Sequence, residues 1–320
     1  MDQVTRGWLM YELTGSALQL GAAAAVRGLP LMFFSIAAGA LADRSGRKAQ
    51  LIIAQVVNAI LNIILATLVL TGQVEPWHIY VTGFLAGTVQ AFQQPARQTL
   101  IGDIVGDHRL MNALALNSAA LNGSRTLGPA IAGGLITGMG IAGSYYVQGV
   151  MYLVATVWTM QMRVPARPTG TEGRPHEPFL RAIGSGFSYV AKEPDIRAMM
   201  LLGLGPLTFG MAYASLMPLL AKELGGEAGL QGTLLSMVGV GSLAGALTVA
   251  SVRGSYGYGL PVVLGAAAFS IFVFLLASSP WIWLSVLLAA CVGASNVAYN
   301  TQNQTLLQVM TPRHLRGRVM

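Results

Sequence analysis

Twenty consecutive residues, Leu51 to Leu70, carry no charge. A helix needs about 20 apolar residues to cross the hydrocarbon core of a bilayer, so this run is the length of one crossing. Similar runs recur, and spans are predicted over 17–42, 50–71, 77–102, 111–137, 144–162, 198–221, 230–252, 258–278 and 281–310. Residues 1–13 are predicted to be the far half of another helix, too short to span alone. In lipid the backbone must satisfy its own polar groups, and apolar runs of this length do so as helices. The fold class expected is therefore all-α and polytopic. Charged residues are only 10% of the chain, whereas soluble domains carry about 25%. A soluble protein is excluded on that ground. Cys291 is the single cysteine, so no intrachain disulfide can form.

The formal net charge of +7 could suggest nucleic acid, but the placement of the charges argues against it. Alternate joins between the spans hold Arg44, Arg47 and Lys48; Arg109; Arg163, Arg167, Arg174, Arg181, Lys192 and Arg197; Arg253; and Arg313, Arg316 and Arg318. The opposite joins hold only Lys222. Fourteen cations against one is a positive-inside bias. It puts the loop 43–49 and the linker 165–195 in the cytoplasm of a cell-membrane protein. No nucleic-acid partner is needed to explain the basic balance.

The linker holds Pro165, Pro168, Pro175, Pro178 and Pro194. It separates an N-terminal bundle, 1–164, from a C-terminal one, 196–320. Within it Phe179, Ile183, Phe187 and Val190 recur at helical spacing. A short amphipathic helix on the membrane surface fits them; a solvated loop with incidental apolar residues is the alternative.

The two bundles repeat each other weakly. A shift of 211 lays Glu12-Leu13 on Glu223-Leu224, Gly15 on Gly226, Gly21 on Gly232 and Gly28 on Gly239. A shift of 206 lays Gln98-Thr99-Leu100 on Gln304-Thr305-Leu306. Internal repeats of this kind mark carriers assembled from related bundles. By the same shifts the chain is expected to lack the start of helix 1 and all of helices 11 and 12.

Polar residues inside a span are costly and usually face a cavity or a neighbouring helix. Gln90, Gln94 and Gln98 recur every four residues and share one helix face, as do Asn296, Asn300 and Gln304. The 206-residue shift carries one stripe onto the other. Both are expected to line a central aqueous cavity, with interhelical hydrogen bonding as the alternative. Arg27 lies near mid-span, roughly 15 Å from the outer end at about 1.5 Å per residue. Arg125 lies at comparable depth. Each needs a carboxylate, backbone carbonyls or a cavity. Asp2 is the carboxylate expected well inside a span, with Arg6 one turn later on its face. It is the candidate for proton coupling, and a static ion pair is the alternative.

Between two spans stands Gly39-Ala40-Leu41-Ala42-Asp43-Arg44-Ser45-Gly46-Arg47-Lys48. This G-x-L-A-D-R-x-G-R-K pattern resembles the signature loop between helices 2 and 3 of the major facilitator superfamily. Ser124 to Gly133, with Gly128-Pro129 at its centre, resembles the helix 5 motif of drug exporters in that superfamily, G-x-x-x-G-P-x-x-G-G. Ser124 and Ala132 stand in place of two of its glycines. Trp8 to Ser16, Pro95-Ala96-Arg97-Gln98 and Leu315 to Met320 resemble the branch holding the enterobactin exporter and macrolide-efflux proteins. The family's helix 4 arginine motif is not recognisable, and Arg97 is a different feature.

The resemblance implies two pseudo-symmetric six-helix bundles, of which about ten helices of twelve are expected here. It implies that helices 1, 4, 7 and 10 line the path. Gly39, Asp43, Arg44, Gly46, Arg47, Lys48 and Arg97 would form a gating latch, Asp43 engaging Arg97 or the start of helix 11. Gly128, Pro129 and Gly133 would form a hinge in helix 5. The function implied is proton-coupled export of a small molecule such as a drug or siderophore. A facilitative or import carrier and a non-transporting remnant are the alternatives. A membrane enzyme finds no support: H-E-x-x-H, G-x-S-x-G and the P-loop are all missing from the sequence. His78, His108, His176 and His314 show no metal-ligand spacing. No cofactor and no ATP binding are expected. The partners expected are the bilayer, the small molecule and a proton.

Overall fold

A computed structural model describes residues 1–44, 46–105, 110–162, 193–205, 212–251 and 260–310. Ten helices lie among them: α1 (Asp2–Thr14), α2 (Ala17–Arg44), α3 (Arg47–Leu70), α4 (Pro76–Val105), α5 (Leu110–Gln161), α6 (Pro194–Gly205), α7 (Ala212–Glu223), α8 (Ala228–Ser251), α9 (Leu260–Ala277) and α10 (Ile282–Met310). The all-α class expected from the sequence is what the described residues form. The predicted amphipathic segment 179–192 lies outside the described residues, and so does the stretch 206–211 inside the predicted span 198–221.

Glycine and proline set the boundaries. Gly15 ends α1 in the left-handed region, at φ 61°, and donates its N–H to the carbonyl of Tyr11. Few other residues take that conformation without strain. Pro76 opens α4, where a missing N–H costs nothing. Gly140, at φ 72° and ψ 177°, breaks α5 into two limbs. These are the predicted spans 111–137 and 144–162.

The chain divides into two compact units. One holds Met1–Arg167 and Ala214–Ser236, the other Pro168–Tyr213 and Met237–Met320. In the first, α3 packs on α4 and on α5, α2 packs on α4, and α1 lies against α2 and α5. Leu9, Met10, Leu20, Ala23, Leu65, Ala66, Ile79 and Tyr145 form a core drawn from all five helices. In the second unit α9 packs on α10 through Val262, Ala266, Tyr299 and Leu306. Gly241 and Gly245 of α8 meet the backbone of Ala290 and Ala294 on α10. Small residues that let backbones touch are the usual glue between helices in lipid.

The outer surface is apolar: Leu18, Met32, Leu247 and Phe274 are each at least 70% exposed. Water would oppose that much open hydrocarbon, and lipid accommodates it. Six stretches of the described residues are long and apolar enough to cross a membrane by themselves. The expected span 77–102 is not one of them. Its helix, α4, has the length at 30 residues, but Gln90, Gln93, Gln94, Arg97 and Gln98 dilute its second half.

Candidate functional site

In α1, Asp2 and Arg6 fall four residues apart and share a face, and Arg6 Nη2 donates to Asp2 Oδ1 at 3.2 Å. Arg6 Nη1 also donates to the Ile79 carbonyl at 3.1 Å and to Thr82 Oγ1 at 2.8 Å on α4. Arg27 of α2 donates to the other oxygen of Asp2. One carboxylate thus holds two guanidinium groups from different helices. The need for a partner that its mid-span position gives Arg27 is met by Asp2, 25 residues away in the chain.

Two glycines of α4 face the cluster, and one of them is required there. A β-carbon at Gly83 would sit 3.6 Å from Arg6 Nη1. One at Gly87 would strike the carbonyl of Arg27 itself. Without a side chain at Gly87, the backbones of α2 and α4 come together beside the Asp2–Arg27 pair. Arg6 is 5% exposed, while the Arg27 side chain keeps 30% exposure. Next to the cluster, Gln148 Nε2 donates to Thr5 Oγ1 at 3.1 Å, and Thr5 and Ser144 share a hydrogen bond of 3.0 Å. These bonds tie α1 to the second limb of α5.

Three cavities of the first unit open around this cluster. The largest, about 910 Å³, is bordered by Asp2, Arg27, Gln90, Arg125, Gln148 and Tyr152 among others. One of about 390 Å³ is bordered by Arg27, Asn58, Gln90, Gln93, Gln94, Arg97 and Arg125. The third, about 320 Å³, lies between Gln3, Arg6, Arg27, Gln90 and Gln231. Arg27 and Gln90 border all three, and Gln94 borders one. Gln98 is exposed and borders none of them.

Sequence reasoning missed several of these residues. Gln3, Asn58, Gln93, Gln148 and Gln231 were legible only as isolated polar residues in apolar helices, with no repeat to single them out.

Arg97 Nη2 donates to Asn117 Oδ1 at 2.7 Å. In the second unit Asn300 Nδ2 donates to the carbonyl and the Oδ1 of Asn296, at 3.0 and 3.2 Å. Gln304 is exposed. Gly39, Asp43 and Arg44 belong to α2, which runs on to Arg44, and the side chains of that segment lie outside the described residues. Gly46 precedes α3, and Arg47 opens it. Lys48 Nζ donates to the carbonyls of Met160 and Met162, 2.8 Å each. A cation there satisfies acceptors left open at a helix C-terminus.

The segment with Gly128, Pro129 and Gly133 lies on α5, and its glycine packs against the start of α8. A β-carbon at Gly133 would fall 2.9 Å from the Ala228 carbonyl, and one at Gly232 would fall 2.6 Å from the Pro129 carbonyl. The two backbones touch. Gly128 is buried nearby.

A profile of transmembrane secretion effectors matches residues 1–320, the whole chain. The enterobactin exporter EntS of Escherichia coli O1:K1 / APEC is 26% identical over 307 residues, covering 96% of this chain and 73% of the exporter. Among solved structures, a mutant of the nucleoside transporter NupG superposes with a TM-score of 0.76. It is 16% identical and matches over 99% of this chain and 81% of its own. A bacterial homologue of the human lysosomal transporter Spinster, inward-facing and occupied, gives a TM-score of 0.69 at 13% identity, over 99% and 72%. At such identities the structures speak for the fold alone, while the family match covers the full chain. The chain belongs to the transmembrane secretion effector family of the major facilitator superfamily and is a multi-pass membrane transporter.

Proposed function

We propose that this transporter exports a small molecule from the cytoplasm by alternating access and that inward proton flow drives it. The observation that carries the reading is the position of Asp2. Among the described residues it is the one acidic side chain on any of the three cavities, where it borders the largest, and its partner Arg27 borders all of them. Ionisable groups inside a membrane domain mark substrate or proton paths by default. Kinship with an enterobactin exporter supports the outward direction and a siderophore-like cargo. The pseudo-symmetric polar stripes, Gln90 and Gln94 with Asn296 and Asn300, support a central path about which the two bundles rock.

A facilitative carrier is the second reading. It draws on the same cluster, because Asp2 shared by Arg6 and Arg27 is also a sound static pair. Cells lacking their own enterobactin exporter but expressing this protein separate the two. Secretion of enterobactin is expected to be restored and to weaken as the proton gradient is collapsed. With Asp2→Asn, that gradient dependence is expected to vanish. Unchanged dependence would move proton coupling to another residue, and no secretion by the wild type would remove enterobactin as cargo.

A further inference from the structure

The cavities of the first unit are lopsided in charge. Arg6, Arg27, Arg97 and Arg125 border them, against Asp2 alone among the described acidic residues. These arginines are not equally committed. Arg6 has three acceptors: Asp2, the Ile79 carbonyl and Thr82. Arg97 is held by Asn117. Among the described residues Arg27 has only Asp2, which Arg6 already shares. Arg125 is exposed to the cavity and has no hydrogen-bond or ion-pair partner among the described residues. Arg27 and Arg125 border the same two cavities, one of them about 910 Å³. That volume lies within the roughly 300–1,000 Å³ typical of small-molecule sites.

We propose that this cavity takes an organic anion whose carboxylate is held between Arg27 and Arg125. A guanidinium inside a membrane domain is costly until an acceptor meets it, and a carboxylate meets it with a charge-assisted, bidentate pair. The anion supplies the charge that Arg125 lacks. It can also draw Arg27 away, because Asp2 keeps Arg6 when Arg27 turns to the ligand. Arg6 is therefore the fixed member of the cluster and Arg27 the exchangeable one, as their different burial fits.

The proposal rests on the carrier reading, but its test reads binding without transport, so a lost charge preference leaves export standing. Purified protein in detergent is titrated calorimetrically with 1-naphthylacetate and with its neutral amide, 1-naphthylacetamide. The carboxylate is expected to bind at least about tenfold more tightly. Arg125→Gln should bring the two probes together, and Arg125→Lys should keep part of the preference. Among the described residues Arg125 holds no other group in place, so its replacement is not expected to disturb folding. Equal affinity for both probes, no binding of the carboxylate, or an intact preference in Arg125→Gln would overturn the proposal.

Discussion

Replacing Arg6 with methionine is expected to leave little folded protein in the membrane. The side chain is almost wholly buried, and it bridges α1 to α4 through Ile79 and Thr82. Methionine fills similar volume but offers no donor. Asp2 keeps Arg27, yet the buried Ile79 and Thr82 lose the donor that served them. Losing a hydrogen bond from a charged donor costs about 1.5–3 kcal/mol, and the two to Ile79 and Thr82 go together, a large part of the stability of an ordinary protein. Thermal unfolding of the purified protein, followed by its tryptophan fluorescence, is the measurement. Arg6→Lys keeps the charge but loses the fork, and its midpoint should fall between wild type and Arg6→Met. A wild-type midpoint in Arg6→Met would mean that the cluster does not hold α1 in place.

Gly133→Ala is expected to be damaging, while its neighbour Gly134→Ala should be harmless. One methyl group distinguishes wild type from variant at both sites. At Gly133 that methyl lands 2.9 Å from the Ala228 carbonyl and 3.1 Å from the Cα of Gly232. At Gly134 it meets nothing within 4 Å. The neighbours at Gly133 are backbone atoms and cannot step aside without moving α8. Overpacking of this kind costs about 1–3 kcal/mol, whereas alanine in an open helical position gains up to about 1 kcal/mol over glycine. The two unfolding midpoints should therefore shift in opposite directions. Equal shifts would show that the crossing of α5 and α8 is looser than described.

Much of the fold could be read from the chain, because lipid imposes simple rules on it. A charge-free run such as 51–70 has few alternatives to a membrane helix, and the predicted break between 137 and 144 coincides with Gly140. The run 77–102 is predicted as one more apolar span and does form a helix, α4, but its glutamines and Arg97 take it below the apolarity of an unaided crossing. The site was legible in its parts and hidden in its pairings. Four-residue spacing joined Asp2 to Arg6, and depth alone showed that Arg27 needed a partner. Nothing in the order of residues links Arg27 to Asp2, Arg6 to Thr82, or Gly133 to Gly232. Those contacts depend on which helix faces meet, and that is decided by close approach at residues such as Gly87 and Gly232. The helix 5 resemblance singled out Gly128, Pro129 and Gly133 but said nothing of the backbone they would touch.

The claim at the centre is that the space around Arg27 and Gln90 belongs to a path open in turn to each side of the membrane. Cys291, the single cysteine, can be replaced by serine to give a background free of thiols. A cysteine at position 90, Gln90→Cys, is then challenged with a membrane-impermeant maleimide in right-side-out and in inverted vesicles. Labelling in both preparations is the result expected of a residue that water reaches alternately from the two faces. Labelling in neither, or in only one whatever the substrate and proton gradient supplied, would contradict an alternating-access path through this cavity.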